Sequence, residues 1–162
     1  MSNKVLQSGS ATPGHLVSWT TDGVVQDSGV TAPNLNSEFT AGLIAVNFNA
    51  TNQDNAIDIN LPSGYTRWRC NRILISGASG TLTTATCGVF TQAGAGGVAI
   101  VSSGSSITVN TSLIDTVNNM QALGVNNGGT LAYSDTVIYF RVQNPQGVAA
   151  TANVSVYYEP LP

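Results

Sequence analysis

The sequence predicts an all-β protein: an antiparallel, jelly-roll-like β-sandwich of about eight strands preceded by an extended N-terminal arm. Three observations predict it. From Phe39 onward, short apolar runs recur at roughly ten-residue intervals. Between them stand turn clusters such as Pro62-Ser63-Gly64 and Asn144-Pro145-Gln146-Gly147, whose residues accept the backbone angles of tight turns. Several runs also alternate apolar and polar residues, as in Ile57-Asp58-Ile59-Asn60, which sets one row of side chains against a core and the next against water. No βαβ spacing, heptad or internal repeat competes, and a β-barrel is the alternative architecture.

Length and composition agree with this class. A chain of 162 residues suits one domain with an arm and is long enough to bury a stable core. Only 8 % of residues are charged, against about 25 % in ordinary domains. With 42 % hydrophobic residues and a net charge of −3, this is a neutral, hydroxyl-rich surface rather than a disordered chain.

Taken in order, residues 1–38 are polar and rich in Gly, Ser and Thr, and form the arm; residues 39–162 form the domain. Leu43–Phe48 reads as a strand, Asn49–Asn55 as a polar turn and Ala56–Leu61 as a second strand with one wet face. Tyr65–Ser76 is a longer strand. Trp68, Cys70, Ile73 and Ile75 point inward from it, and Arg67, Arg69 and Asn71 outward; the phase slips near Arg72, as a β-bulge would make it. Thr81–Gln92 holds one or two strands around Cys87, Val89 and Phe90, and Ala93–Gly97 is a glycine loop. Val98–Val101 and Ile107–Asn110 read as two short strands around a Ser/Gly turn, and residues 111–122 as the one place for a helical turn. Asn126–Gly129 is a turn and Leu131–Tyr133 starts a strand. Asp135–Gln143 is apolar on both faces, hence central. The short turn after it predicts that the final strand, Ala150–Tyr158, is its hairpin neighbour.

Several functions lose their chemical basis here. Five basic residues, three of them at Arg67, Arg69 and Arg72, make no broad face for phosphates, so no nucleic-acid partner is expected. No stretch is long and apolar enough to cross a bilayer, and no membrane partner is expected. One histidine and two separated cysteines cannot form a His/Cys zinc site, so Cys70 and Cys87 are expected to be buried thiols, with a disulfide possible. No G-x-S-x-G elbow accompanies His15. The aspartates at 54, 58, 115 and 135 read as turn or solvated residues rather than as a facing pair. Gly94–Gly97 lacks the Lys-Ser/Thr of a phosphate loop. The expectation is a non-enzyme with no catalytic residues, no metal and no cofactor.

The arm carries the functional signal. Thr12–Gly29 holds the single His15, Trp19 and the Asp22-Gly23 step between two apolar runs. Asp-Gly in that setting favours a hairpin turn, because glycine accepts positive φ without steric cost. Leu16, Val17, Trp19, Val24 and Val25 have too few neighbours in so short a segment to bury one another and need another surface. His15, Leu16, Val17, Trp19, Asp22, Gly23, Val24, Val25 and Asp27 are therefore the candidate partner-binding residues. Arg67 and Arg69, flanking Trp68, are a possible second surface that could stack a sugar.

The segment resembles the start of many small tailed-phage and prophage structural proteins, where a pattern close to G-H/N-x-V-x-W-x-x-D/N-G-x-x-x-D-S/G-G occurs. Gly14, His15, Val17, Trp19, Asp22, Gly23, Asp27, Ser28 and Gly29 match it. The resemblance spans about a tenth of the chain. The remainder is similar to capsid decoration and head-fibre jelly rolls in composition, length and strand count. The resemblance implies a virion protein, made in a bacterial cytoplasm, whose arm binds the major capsid protein or another virion protein and whose β domain self-associates as a homotrimer. The alternative is a receptor- or glycan-binding tail-fibre or head-fibre module using Arg67, Trp68 and Arg69. A small glycan-active enzyme built on aspartate pairs is the third expectation.

Overall fold

In the computed structural model the chain is described over residues 15–19, 25–31, 38–109 and 120–162, the first two segments by their backbone alone. It divides into two compact units, Met1–Ser37 and Glu38–Pro162. The first contains an antiparallel pair, β1 (His15–Trp19) and β2 (Val25–Thr31). Trp19 pairs with Val25 and Val17 with Asp27, and the register shifts between Val17 and the His15–Thr31 pair. The residues joining the strands, including Asp22, Gly23 and Val24, lie outside the described residues.

Over its described residues the second unit is a sandwich of nine strands: β3 (Phe39–Asn47), β4 (Asp54–Asp58), β5 (Arg67–Ser76), β6 (Thr86–Gln92), β7 (Gly96–Ser106), β8 (Gln121–Leu123), β9 (Ala132–Tyr133), β10 (Val137–Asn144) and β11 (Thr151–Leu161). One sheet runs β3-β11-β5-β8, with β9 sharing the β5 edge, and the other runs β4-β10-β6-β7. All their pairings are antiparallel. With the two-residue β9 set aside, successive strands alternate between the sheets except at β6 and β7, which is the jelly-roll order.

β5 shows how the sequence builds this. Trp68, Cys70, Ile73 and Ile75 are all fully buried. Two inward residues separated by one become two separated by two, because Asn71 is extra: Tyr158 pairs with Cys70, yet Tyr157 pairs with Arg72. This is the bulge expected from the phase slip. Opposite it, β8 and β9 pair with the two halves of β5, and the intervening turn brings Gly129 against the Cys70 carbonyl. A Cβ on Gly129 would lie 2.6 Å from that oxygen, and its φ is +72°, so only glycine fits.

The core is closed by aromatic contacts. Trp68 lies 5.0 Å from Tyr133 and meets Tyr158 edge-on at 5.8 Å, and Phe48 meets Phe140 edge-on at 5.6 Å. The polar ends are satisfied at the rim: Trp68 Nε1 donates to the Asp135 carbonyl (2.7 Å) and Tyr158 Oη to the Asn60 carbonyl (2.8 Å). Tyr133 Oη is buried without a partner. Cys70 and Cys87 are free and buried, and burial pushes both thiols up to about 12, which keeps them unreactive at neutral pH.

Three expectations are corrected. The last two strands are not hairpin neighbours, because β10 and β11 belong to different sheets. Their linking turn is held to the corner after β3, with Gln146 N–H donating to the Phe48 carbonyl (2.9 Å) and Gly147 N–H to Asn49 Oδ1 (3.1 Å). Of the two strands expected at Val98–Val101 and Ile107–Asn110, the first lies within one longer strand, Gly96–Ser106, whose register with β6 shifts around Gly104 (φ +76°), and residues 107–109 are not in a strand. The helical turn expected at 111–122 falls mainly on residues that lie outside the described ones, 110–119, and Gln121–Leu123, at its end, is the strand β8. The Asn49–Asn55 turn ends sooner than expected, at Asp54, where β4 begins.

Candidate interaction surfaces

Alternation on β5 and β11 sends Arg67, Arg69, Tyr157 and Glu159 to the solvent face of the β3-β11-β5-β8 sheet. The arginines proposed as a second surface are engaged within the sandwich. Arg69 Nη2 forms a very short ion pair with Glu159, opposite it in the register. Arg72 Nη2 binds Glu38 at 2.9 Å and its guanidinium lies 4.2 Å from the centre of the Tyr157 ring. Asn71 Nδ2 reaches the other Glu38 oxygen at 3.3 Å. Arg67 donates to the Pro162 carbonyl at 3.2 Å. Trp68 is fully buried, as its inward phase predicts, so the alternative sugar-stacking face lacks a platform between Arg67 and Arg69.

The solvent face of the other sheet is built differently. Gly88 and Phe90 of β6 share it with Tyr139 and Arg141 of β10, which pair directly with Phe90 and Gly88. Phe90 is only 4 % exposed despite facing outward. Its ring lies over Gly88, where a Cβ would sit 2.7 Å from two ring carbons. Beside it Arg141 Nη1 donates to Asp54 Oδ1 at 2.7 Å, and the Gly94 N–H donates to Asp54 Oδ2 at 2.8 Å. Asp54 lies on β4, two strands from β6, so the Ala93–Ala95 turn that follows β6 is tied back across β10. Burial alone would raise the Asp54 carboxyl. The Arg141 hydrogen bond, the Gly94 N–H and the Arg141 charge outweigh it and hold the group below its ordinary value.

Of the arm residues, His15, Leu16, Val17 and Trp19 lie on β1, and Val25 and Asp27 on β2. The pairing brings Trp19 opposite Val25 and Val17 opposite Asp27. Sequence reasoning missed the Asp54–Arg141–Gly94 arrangement. Its signal was faint: an aspartate at a strand start and a lone arginine among apolar neighbours, 87 positions apart. Among the described residues no group of three or more His, Cys, Asp or Glu is placed to hold a metal ion.

No protein-family model matches the chain, and no curated protein matches it in sequence.

Proposed function

We propose that the chain is a non-enzymatic bacteriophage virion protein of the capsid-decoration type. Its N-terminal segment binds the major capsid protein or another virion protein, and its β domain joins copies of itself, as a trimer. The observation that carries this reading is the division of the chain into a β1–β2 hairpin unit and a sandwich that buries its own aromatic core. A two-stranded ribbon is marginal by itself, whereas a sandwich with a filled core needs no help. The hairpin therefore has the most to gain from a second polypeptide. Its sequence, Thr12–Gly29, resembles the openings of small phage structural proteins, which supplies the particle as partner.

The energetics support attachment through several weak docks. Burying four or five apolar side chains at about 25 cal/mol per Å² contributes several kcal/mol per copy before ordering costs. Trp19 is the natural anchor, since tryptophan is enriched among residues that dominate interfaces. Joining copies in a trimer multiplies the effect. The sandwich's arginines bind its own carboxylates or carbonyls, which fits a subunit that presents a neutral face to its neighbours.

Co-sedimentation with undecorated capsids tests the reading. The full chain is expected to pellet with the particles and the fragment Glu38–Pro162 is not. Trp19→Ala is expected to lower particle occupancy at least tenfold while leaving the melting temperature of the sandwich unchanged, a tenfold loss corresponding to about 1.4 kcal/mol. Equal binding by the fragment, or a fall in melting temperature that accounts for the lost binding, would overturn the proposal.

A further inference from the structure

We propose that the cleft between the Ala93–Ala95 turn and the β9–β10 connection is a binding site for a neutral saccharide. The cleft has a volume of about 430 Å³ and is lined by Gln92, Ala93, Ser134, Asp135, Thr136 and Tyr139, among others. That size lies within the range of small-molecule sites.

The connection that forms one wall is fixed through its backbone and free through its side chains. The Asp135 carbonyl accepts the Trp68 indole N–H at 2.7 Å, and the Thr136 carbonyl accepts the Ile59 N–H at 2.8 Å. Ser134, Asp135 and Thr136 are themselves exposed, as is Gln92 across the cleft. Among the described residues none of these four side chains has a hydrogen-bond partner. They offer two hydroxyls and a carboxylate on one wall and an amide on the other. Tyr139, half-buried on the outer row of β10, supplies a ring face.

The opposite wall is held as firmly. Gly94 and Ala95 take φ of +71° and +62° in succession. For alanine this left-handed conformation costs about 1–2 kcal/mol. It is retained because the Gly94 N–H is bound to Asp54, which Arg141 holds in turn. Gly94 and Ala95 follow directly on the lining residues Gln92 and Ala93, so pinning this turn fixes the wall beside it, and preformation removes the ordering cost that weakens small-ligand binding.

The chemistry of the lining selects the ligand. Its one charged group is Asp135, and the nearby cation on the same sheet face, Arg141, is committed to Asp54. An anionic ligand would meet a carboxylate with no free cation beside it. A hydroxyl-rich neutral ring matches instead: its hydroxyls donate to Asp135 and exchange hydrogen bonds with Gln92, Ser134 and Thr136, and its C–H face packs on Tyr139.

Saturation-transfer NMR on the full chain tests this, using the methyl glycosides of glucose, galactose, mannose, N-acetylglucosamine and rhamnose, with glucuronic acid as the anionic control. At least one neutral glycoside is expected to bind with a Kd on the order of millimolar. Asp135→Asn is expected to weaken it by about tenfold, since a charge-assisted bond becomes a neutral one. Tyr139→Ala is expected to abolish binding. Because that change also removes sheet packing, Gln92→Ala, at an exposed position, is measured beside it and is expected to weaken binding severalfold without shifting the melting temperature. Absence of transfer to every neutral glycoside would overturn the proposal. So would binding that survives both Tyr139→Ala and Gln92→Ala in folded protein, or glucuronic acid binding as well as the best neutral sugar. None of these assays involves a virion, so their outcome is separate from that of the capsid experiment.

Discussion

On the outer face of the β3-β11-β5-β8 sheet, Arg72 and Glu38 keep 55 % and 36 % of their side-chain surface in water while they pair with each other. On the outer face of the β4-β10-β6-β7 sheet, Arg141 keeps only 15 % while it pairs with Asp54. The chemical pairing is the same and the consequence is not. An exposed pair exchanges water for a partner at little net gain, about 0–1 kcal/mol. The partly buried pair is joined by a backbone N–H from a neighbouring turn, so losing one member strands two others. The first sheet uses charge to neutralise a surface; the second uses it to hold a loop against the sheet.

Breaking the covered face is expected to have the largest effect. Phe90→Ala removes a ring that is 4 % exposed and uncovers Gly88, and should lower unfolding free energy in urea by about 3 kcal/mol. Asp54→Asn comes next, at about 2 kcal/mol, because Arg141 loses its charge partner and the Gly94 N–H a charged acceptor. Its pH dependence sharpens the comparison. Asp54 titrates below its ordinary 3.8 when folded, so its contribution is complete above that value and is lost as pH falls through the folded pKa. The parent and Asp54→Asn proteins should therefore converge in stability in strong acid and differ fully at neutral pH. Tyr133→Phe, which deletes a buried hydroxyl lacking a partner, should leave stability unchanged or raise it by about 1 kcal/mol. Arg72→Met on the exposed sheet should change it by under about 1 kcal/mol. A cost for Arg72→Met equal to that of Asp54→Asn would erase the distinction between the faces.

Much of the sandwich was legible where a rule is local. The period-two row Trp68, Cys70, then Ile73, Ile75, with its slip at Asn71, read directly as an inward face and a bulge. The double-sided apolarity of Val137–Val142 read as a central strand, and β10 does lie between β4 and β6. What escaped is non-local. The residues of Asn144–Gly147 specify a turn equally well whether the chain folds back on the same sheet or crosses to the other, and only the distant bonds to Phe48 and Asn49 decide it. Phe90 read as a core residue of a strand, yet it is buried on the outside, because a glycine two positions earlier gives its ring a seat. The ion pairs of the arginines at 69, 72 and 141 were not legible. Their partners lie 90, 34 and 87 positions away, a separation at which no pattern of spacing speaks.

The position of β11 has a consequence for synthesis. It is the strand that both β3 and β5 pair with, yet it follows all the other strands in the chain. While the chain is being made, β3 and one edge of β5 have nothing to bond, and the first sheet cannot close until residues 151–161 leave the ribosome. Such long-range pairing is slow to form, and exposed edges of this kind invite pairing with other nascent chains. Closure of this sheet is thus timed by the arrival of β11.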